Sequence, residues 1–106
     1  MKIEILYSSG CPHHAPAAER VQKALRQERV SVDILEVEVN DFAAAQSAGF
    51  LGSPTIRING QDIEKTARSS QAFGLACRTY VDHGARSGVP PLEWIRAAIR
   101  EAGGLK

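Results

Sequence analysis

The chain has 106 residues, with thirteen basic and twelve acidic side chains and a formal net charge of +1. That length supports a core without disulfide staples, so residues 1–106 are read as a single domain. Balanced charge, no basic tract and few aromatic residues exclude nucleic acid as the main partner, and no apolar run is long enough to span a membrane. Glu4 lies where a signal peptide would be apolar, and there are only two cysteines. Both features point to a reducing, cytoplasmic setting in which the thiols serve chemistry rather than scaffolding.

In chain order, Lys2 to Tyr7 alternates as a half-buried strand, and Ser8-Ser9-Gly10 is a turn that delivers Cys11. A helix follows to about Arg29, with His14, Ala18, Val21 and Leu25 on its inner face. Pro16 lies inside that run and disfavours helical geometry at Ala15, which predicts a kink or a delayed start. Ser31 to Val39 is a β-branched and apolar run, expected to be a strand buried on both faces. Asn40 is the expected N-cap of a short helix, Asp41 to Ala48, which Gly49 ends. Thr55 to Ile58 and Gln61 to Glu64 flank Asn59-Gly60, the strongest hairpin signal in the sequence.

The final helix starts at Pro90-Pro91, carries Leu92, Ile95, Ile99 and Ala102 at helical spacing, and stops at Gly103-Gly104. Between hairpin and final helix, Lys65 to Val89 is too long for a simple connector. Phe73, Leu75, Cys77, Thr79 and Val81 fall on alternate positions there, which predicts an extended segment with Cys77 on its apolar, buried side.

The chemistry concentrates at Cys11-Pro12-His13-His14. A thiol at the start of a helix faces unpaired backbone N–H groups and the positive end of the helix dipole, and both favour the thiolate. Pro12 suits a first helical position because it has no N–H to lose. His14, three residues on, is either a packed core histidine or a proton acceptor or charge partner for Cys11; His13 is expected to point outward, either stabilising the thiolate electrostatically or simply solvated. Cys77 is a buried thiol or, if the two Cα atoms lie within roughly 7 Å, a resolving one. Arg57 and Arg78 are solvated charges or anion contacts.

The order strand, thiol turn, helix, strand, helix, Pro-led hairpin and helix resembles the thioredoxin fold. Two motifs carry the likeness: the Cys11-Pro12 turn after the first strand, and Ser53-Pro54-Thr55 opening the hairpin. The resemblance implies an α/β class, a mixed central sheet flanked by helices in the order βαβ-α-ββα, with an insertion before the last helix. It also implies a cis Pro54 packed against the catalytic sulfur, with Ser53 backbone free to bind a substrate strand. On this likeness Cys11, His13, His14 and Cys77 are the candidate catalytic residues, and Pro12, Ser53, Pro54 and Thr55 the candidate substrate contacts.

Cys-Pro-His is similar to the start of the DsbA active site, but His14 stands where the second turn cysteine would be. The chain is also similar to a small bacterial group of thioredoxin-like proteins, some of them selenoproteins. The shared features are Gly52-Ser53-Pro54-Thr55, Asp62-Ile63, Ala76-Cys77-Arg78-Thr79-Tyr80 and Pro90-Pro91-Leu92-Glu93-Trp94-Ile95.

The leading expectation is a thiol oxidoreductase in which Cys11 attacks a disulfide, a peroxide or a glutathione adduct. Its partner would be a protein or small-molecule thiol or disulfide, glutathione included, with no cofactor and no resident metal. Two alternatives are a soft-metal thiol protein for mercury, copper or zinc, and a non-catalytic peptide-binding module.

Overall fold

A computed structural model describes residues 1–103. Five elements build the sheet side of the fold: β1 (Ile3–Tyr7), β2 (Ile34–Glu38), β3 (Thr55–Ile58) and β4 (Gln61–Asp62), with helix α1 (His14–Gln27) crossing from β1 to β2. Strand order is β2-β1-β3-β4, with β1 parallel to β2 and antiparallel to β3. Helix α2 (Phe42–Ala48) links β2 to β3. A 3-10 turn at Lys65–Ala67, a small antiparallel hairpin of β5 (Tyr80–Asp82) and β6 (Ala85–Ser87), and helix α3 (Leu92–Ala102) complete the described chain. This is a mixed α/β sheet flanked by helices, the thioredoxin-like class. No described helix is long and apolar enough to cross a membrane.

One face of the sheet is covered by α1 and α3. Ile3, Ile5, Ile56 and Ile58 of the strands pack there against Val21 and Leu25 of α1 and Ile95 and Ile99 of α3. The other face carries α2, where Leu6 and Val39 meet Ala45 and Phe50. Leu6 is therefore buried although it lies on the polar parity of the first strand, because helices cover both faces of β1.

Several elements differ from the sequence reading. Helix α1 starts at His14, with His13 as its N-cap, so Cys11 precedes the helix; the delayed start accommodates Pro16 in the first turn. Its buried stripe is Ala17, Val21, Ala24 and Leu25, whereas His14 and Ala18 are only part-covered. Strand β2 is an edge rather than a doubly buried strand. Among the described residues it pairs with β1 alone, leaving Leu35 51% exposed and Glu36 and Glu38 in solvent.

Asp41, not Asn40, caps α2: its side chain accepts the Ala44 N–H at 2.8 Å, and Gly49 closes the helix in the left-handed region as expected. Asn59 and Gly60 both take positive φ, the requirement of a tight hairpin turn, but the return strand ends at Asp62 rather than Glu64. Helix α3 begins at Leu92 after Pro90-Pro91 and ends at Ala102 with Gly103 as its C-cap; Gly104 lies outside the described residues.

The largest departure is in residues 65–89. Burial there runs on the opposite parity to the apolar pattern: Arg78 and Tyr80 are buried, while Leu75, Cys77 and Val81 are exposed. The inward positions are held by charge and hydrogen bonding, a signal that hydrophobic alternation does not carry.

Candidate functional site

The site begins where β1 ends. Gly10 takes φ +78° and the Cys11 N–H donates to the Ser8 carbonyl at 3.2 Å, closing a turn that lifts Cys11 out of the sheet. Two neighbours pin that turn. The Ser8 N–H donates to Ser53 Oγ at 3.0 Å, and the Ser9 N–H donates to Asn40 Oδ1 at 3.0 Å. Asn40 is thus a clamp on the thiol turn instead of a helix cap. Cys11 itself is a part-exposed free thiol, and its carbonyl accepts the His14 N–H at 3.3 Å.

His14 stacks face to face on Tyr7, with ring centroids 3.6 Å apart, and its Nε2 pairs with the Glu36 carboxylate. The ring therefore belongs to a cluster of Tyr7, Glu36 and Glu38 beside the turn, which neither of its two sequence roles anticipated. Shielding from water raises the Tyr7 hydroxyl above its ordinary value of 10.0, and the charges of Glu38 and Glu36 push it the same way. His13 does not point freely outward. Its ring lies against Gly88, where any Cβ would overlap it, so the β6–α3 junction covers the turn.

The Ser53–Pro54 peptide bond is cis. Ser53, Pro54 and Thr55 are all buried, so the three hairpin-start residues expected to contact substrate are themselves covered. The Thr55 hydroxyl donates to the Gly52 carbonyl at 2.6 Å, and the Pro54 carbonyl accepts the Tyr80 hydroxyl at 2.6 Å. Residues 1–63, which hold both the thiol turn and this hairpin start, match the family model described as Thioredoxin domain.

The chain belongs to the thioredoxin-domain family. No curated protein matches it, and no solved structure does.

The family match ends at Ile63, and residues beyond it fill the place that the resemblance leaves open. Ser53 pairs in parallel with Cys77. Its N–H donates to the Ala76 carbonyl at 3.1 Å, and its carbonyl accepts the Arg78 N–H at 2.9 Å. The backbone edge beside Pro54 is therefore occupied by the chain's own residues 76–78. Gly52 permits the approach: it takes φ +119°, and a Cβ there would come within 2.8 Å of the Ala76 carbonyl.

Arg78 anchors that segment from below. It donates to both Asp62 oxygens at 2.7 and 2.9 Å, to Glu64 at 2.9 Å and to Thr55 Oγ1 at 3.1 Å, and lies 4.5 Å over the Tyr80 ring. Burial is the largest influence on its ionisation and opposes the charge, but Asp62, Tyr80 and Glu64 together outweigh it and hold Arg78 more firmly charged than a free arginine. The anion-contact reading of Arg78 therefore yields to an internal ion pair, and Arg57 likewise donates to the Gly49 carbonyl at 2.7 Å. Burial also raises the Tyr80 hydroxyl, so it stays protonated and able to donate. Among the described residues, no three His, Cys, Asp or Glu side chains are grouped to hold a metal ion.

The sequence reading picked out Cys11, Pro12, His13, His14, Cys77 and the Ser53–Thr55 run. It missed Tyr7, Asn40 and the buried roles of Asp62, Arg78 and Tyr80. The last three stand in shared motifs, but only their pairing across the fold shows what they do.

Proposed function

We propose that the protein is a thiol oxidoreductase with Cys11 as nucleophile, acting on small disulfides, glutathione adducts or peroxides. The observation that carries this reading is a part-exposed, free Cys11 on a turn fastened to the cis-Pro54 hairpin of a thioredoxin domain. A thiolate held at an accessible turn attacks a disulfide sulfur, forming a mixed disulfide and releasing one thiolate; a second thiol then frees the bound half. Against a peroxide the same sulfur takes one oxygen as the O–O bond breaks and water or an alcohol leaves; a second thiol condenses with the sulfenic acid to a disulfide, releasing water, and a third thiol reduces that disulfide. His13 lies beside the reacting sulfur in sequence and shields one side of the turn, and Pro12, exposed next to it, offers an apolar contact for substrate.

Small substrates are favoured over extended peptides because residues 76–78 already use the Ser53 backbone groups. For the same reason the non-catalytic peptide-binding module stands behind the redox reading. Two cysteines in a chain of this length fit thiols kept for chemistry, so the reading extends to a reducing, cytoplasmic compartment and a thiol or disulfide partner.

The test is turnover of hydroxyethyl disulfide with glutathione as donor. Cys11→Ser is expected to lower the rate on the order of a hundredfold while leaving the thermal midpoint in place. Full activity in Cys11→Ser would sink the proposal.

A further inference from the structure

Cys77 is exposed, yet it is the bridge residue of the extended segment paired with Ser53, whose side chain holds the thiol turn. The docking extends over several residues: the Gly74 N–H donates to the Phe50 carbonyl at 3.1 Å, and Ser53 is held by both Ala76 and Arg78. Residues paired directly across a ladder project to the same face, and neighbouring strands lie about 4.8 Å apart. Cys77 therefore shares its face with the Ser53 side chain. That side chain accepts the Ser8 N–H, and the Ser8 carbonyl accepts the Cys11 N–H. Successive hydrogen bonds thus join the Cys77 strand to the Cys11 turn, while Arg78, on the opposite parity, fastens the strand into the protein through Asp62 and Glu64.

We propose that Cys77 is the resolving thiol for Cys11, held in the position that a substrate strand would otherwise take. The proposal deepens the oxidoreductase reading and rests on Cys11 being its nucleophile. With glutathione disulfide, the Cys11 thiolate attacks one sulfur; a Cys11–glutathione bond forms, the glutathione S–S bond breaks, and one glutathione thiolate leaves. The Cys77 thiolate then attacks Cys11 Sγ, forming the Cys11–Cys77 bond and expelling the second glutathione thiolate. The protons given up by the two protein thiols are taken by the two departing thiolates. Two protein thiols are oxidised and one glutathione disulfide is reduced. The missing second cysteine of the turn is thus replaced by one about 65 residues away in the chain, which the fold returns to the site.

The experiment is intact-mass and peptide mapping of the reduced full-length chain after dilute exposure to glutathione disulfide, for the native sequence and for Cys77→Ser. The native protein is expected to give an intramolecular Cys11–Cys77 disulfide with little glutathione retained. In Cys77→Ser the Cys11–glutathione adduct should persist at least about tenfold longer. Equal adduct lifetimes in the two proteins would overturn the proposal.

A second arm uses diamide as a direct oxidant at the same dilution. If glutathione disulfide leaves Cys11 unmodified but diamide joins Cys11 to Cys77, the pairing stands and the glutathione reading fails. If diamide produces no such intramolecular bond, or only disulfides between molecules, the pairing itself is wrong. Because Cys77 is exposed, its replacement by the similarly sized serine leaves the fold intact for every comparison.

Discussion

Arg78 shows how much one residue holds in this fold. Its side chain is 6% exposed and bonded to Asp62, which is equally buried, with Glu64 and Thr55 completing the set. Removing one partner of a buried ion pair strands the other charge away from water, at a cost of roughly 3–5 kcal/mol. Arg78→Met should therefore lower stability by about that much in urea unfolding, because the Asp62 carboxylate keeps its burial and loses both arginine bonds, retaining only the Glu64 N–H. Arg78→Met combined with Asp62→Leu should recover a large part of the loss, since an apolar pair of similar volume replaces a charged one. A double variant as unstable as the single one would mean that the arginine acts by packing on Tyr80 rather than by pairing. The same residue explains why Cys77 was expected inside: apolar alternation put the odd-numbered positions on the buried face, while the energy resides in a charge and a phenol on the even ones.

At the scale of elements, α1 and α3 are joined at one end by charge as well as by their shared core. Glu28 sits at the C-cap of α1, where the helix dipole disfavours an acid. Arg96 and Arg100 of α3 reach it at 2.7 and 2.8 Å. The Arg96 hydrogen bond is the main cause that holds the Glu28 carboxyl below its ordinary value of 4.5. A carboxyl lowered on folding adds stability above the unfolded value, and that stability is lost as the pH falls through the folded one.

Glu28→Gln should thus reduce the urea midpoint at pH 7 and converge with the native protein as the pH drops below about 4.5. A gap that stays constant from pH 7 to pH 3.5 would show that the pair contributes no pH-dependent stability. The helices themselves were legible in the sequence, through their apolar spacing, Gly49 and the proline pair before α3. So was the Asn59-Gly60 turn, because left-handed geometry at two adjacent positions leaves few residue choices. Strand β2 was legible as a strand, but its place at the sheet edge was not, since an apolar run has the same composition at a sheet edge as at a sheet centre. The thiol turn was legible as Cys11-Pro12, but its clamps, Ser53 and Asn40, come from 45 and 31 residues away and have no local pattern.

For the molecule as a whole, the thioredoxin match supplies Cys11 and cis-Pro54, and the remainder supplies the extended segment that pairs with Ser53 beside cis-Pro54. Joining Cys11 to Cys77 would cross-link these two parts through a loop of about 65 residues, a closure worth about 4 kcal/mol in the chain-entropy view. Because residues 76–78 are already docked at Ser53 in the reduced protein, the bond forms between elements that folding has brought together, and most of that gain should survive. The oxidised chain should therefore melt about 10 °C or more above the reduced one, as each kcal/mol moves the midpoint of a domain near this size by about 4–8 °C.

Linkage ties that shift to redox poise. A bond that stabilises the native state by about 4 kcal/mol is about 90 mV harder to reduce in the folded chain than in the unfolded one. Calorimetry of both redox forms, paired with equilibration in glutathione buffers, measures the two sides of the same cycle. An oxidised form that melts at or below the reduced one would mean that the bond distorts the Ser53–Cys77 pairing. The folded disulfide would then be readily reduced, and the cross-link would serve turnover rather than stability.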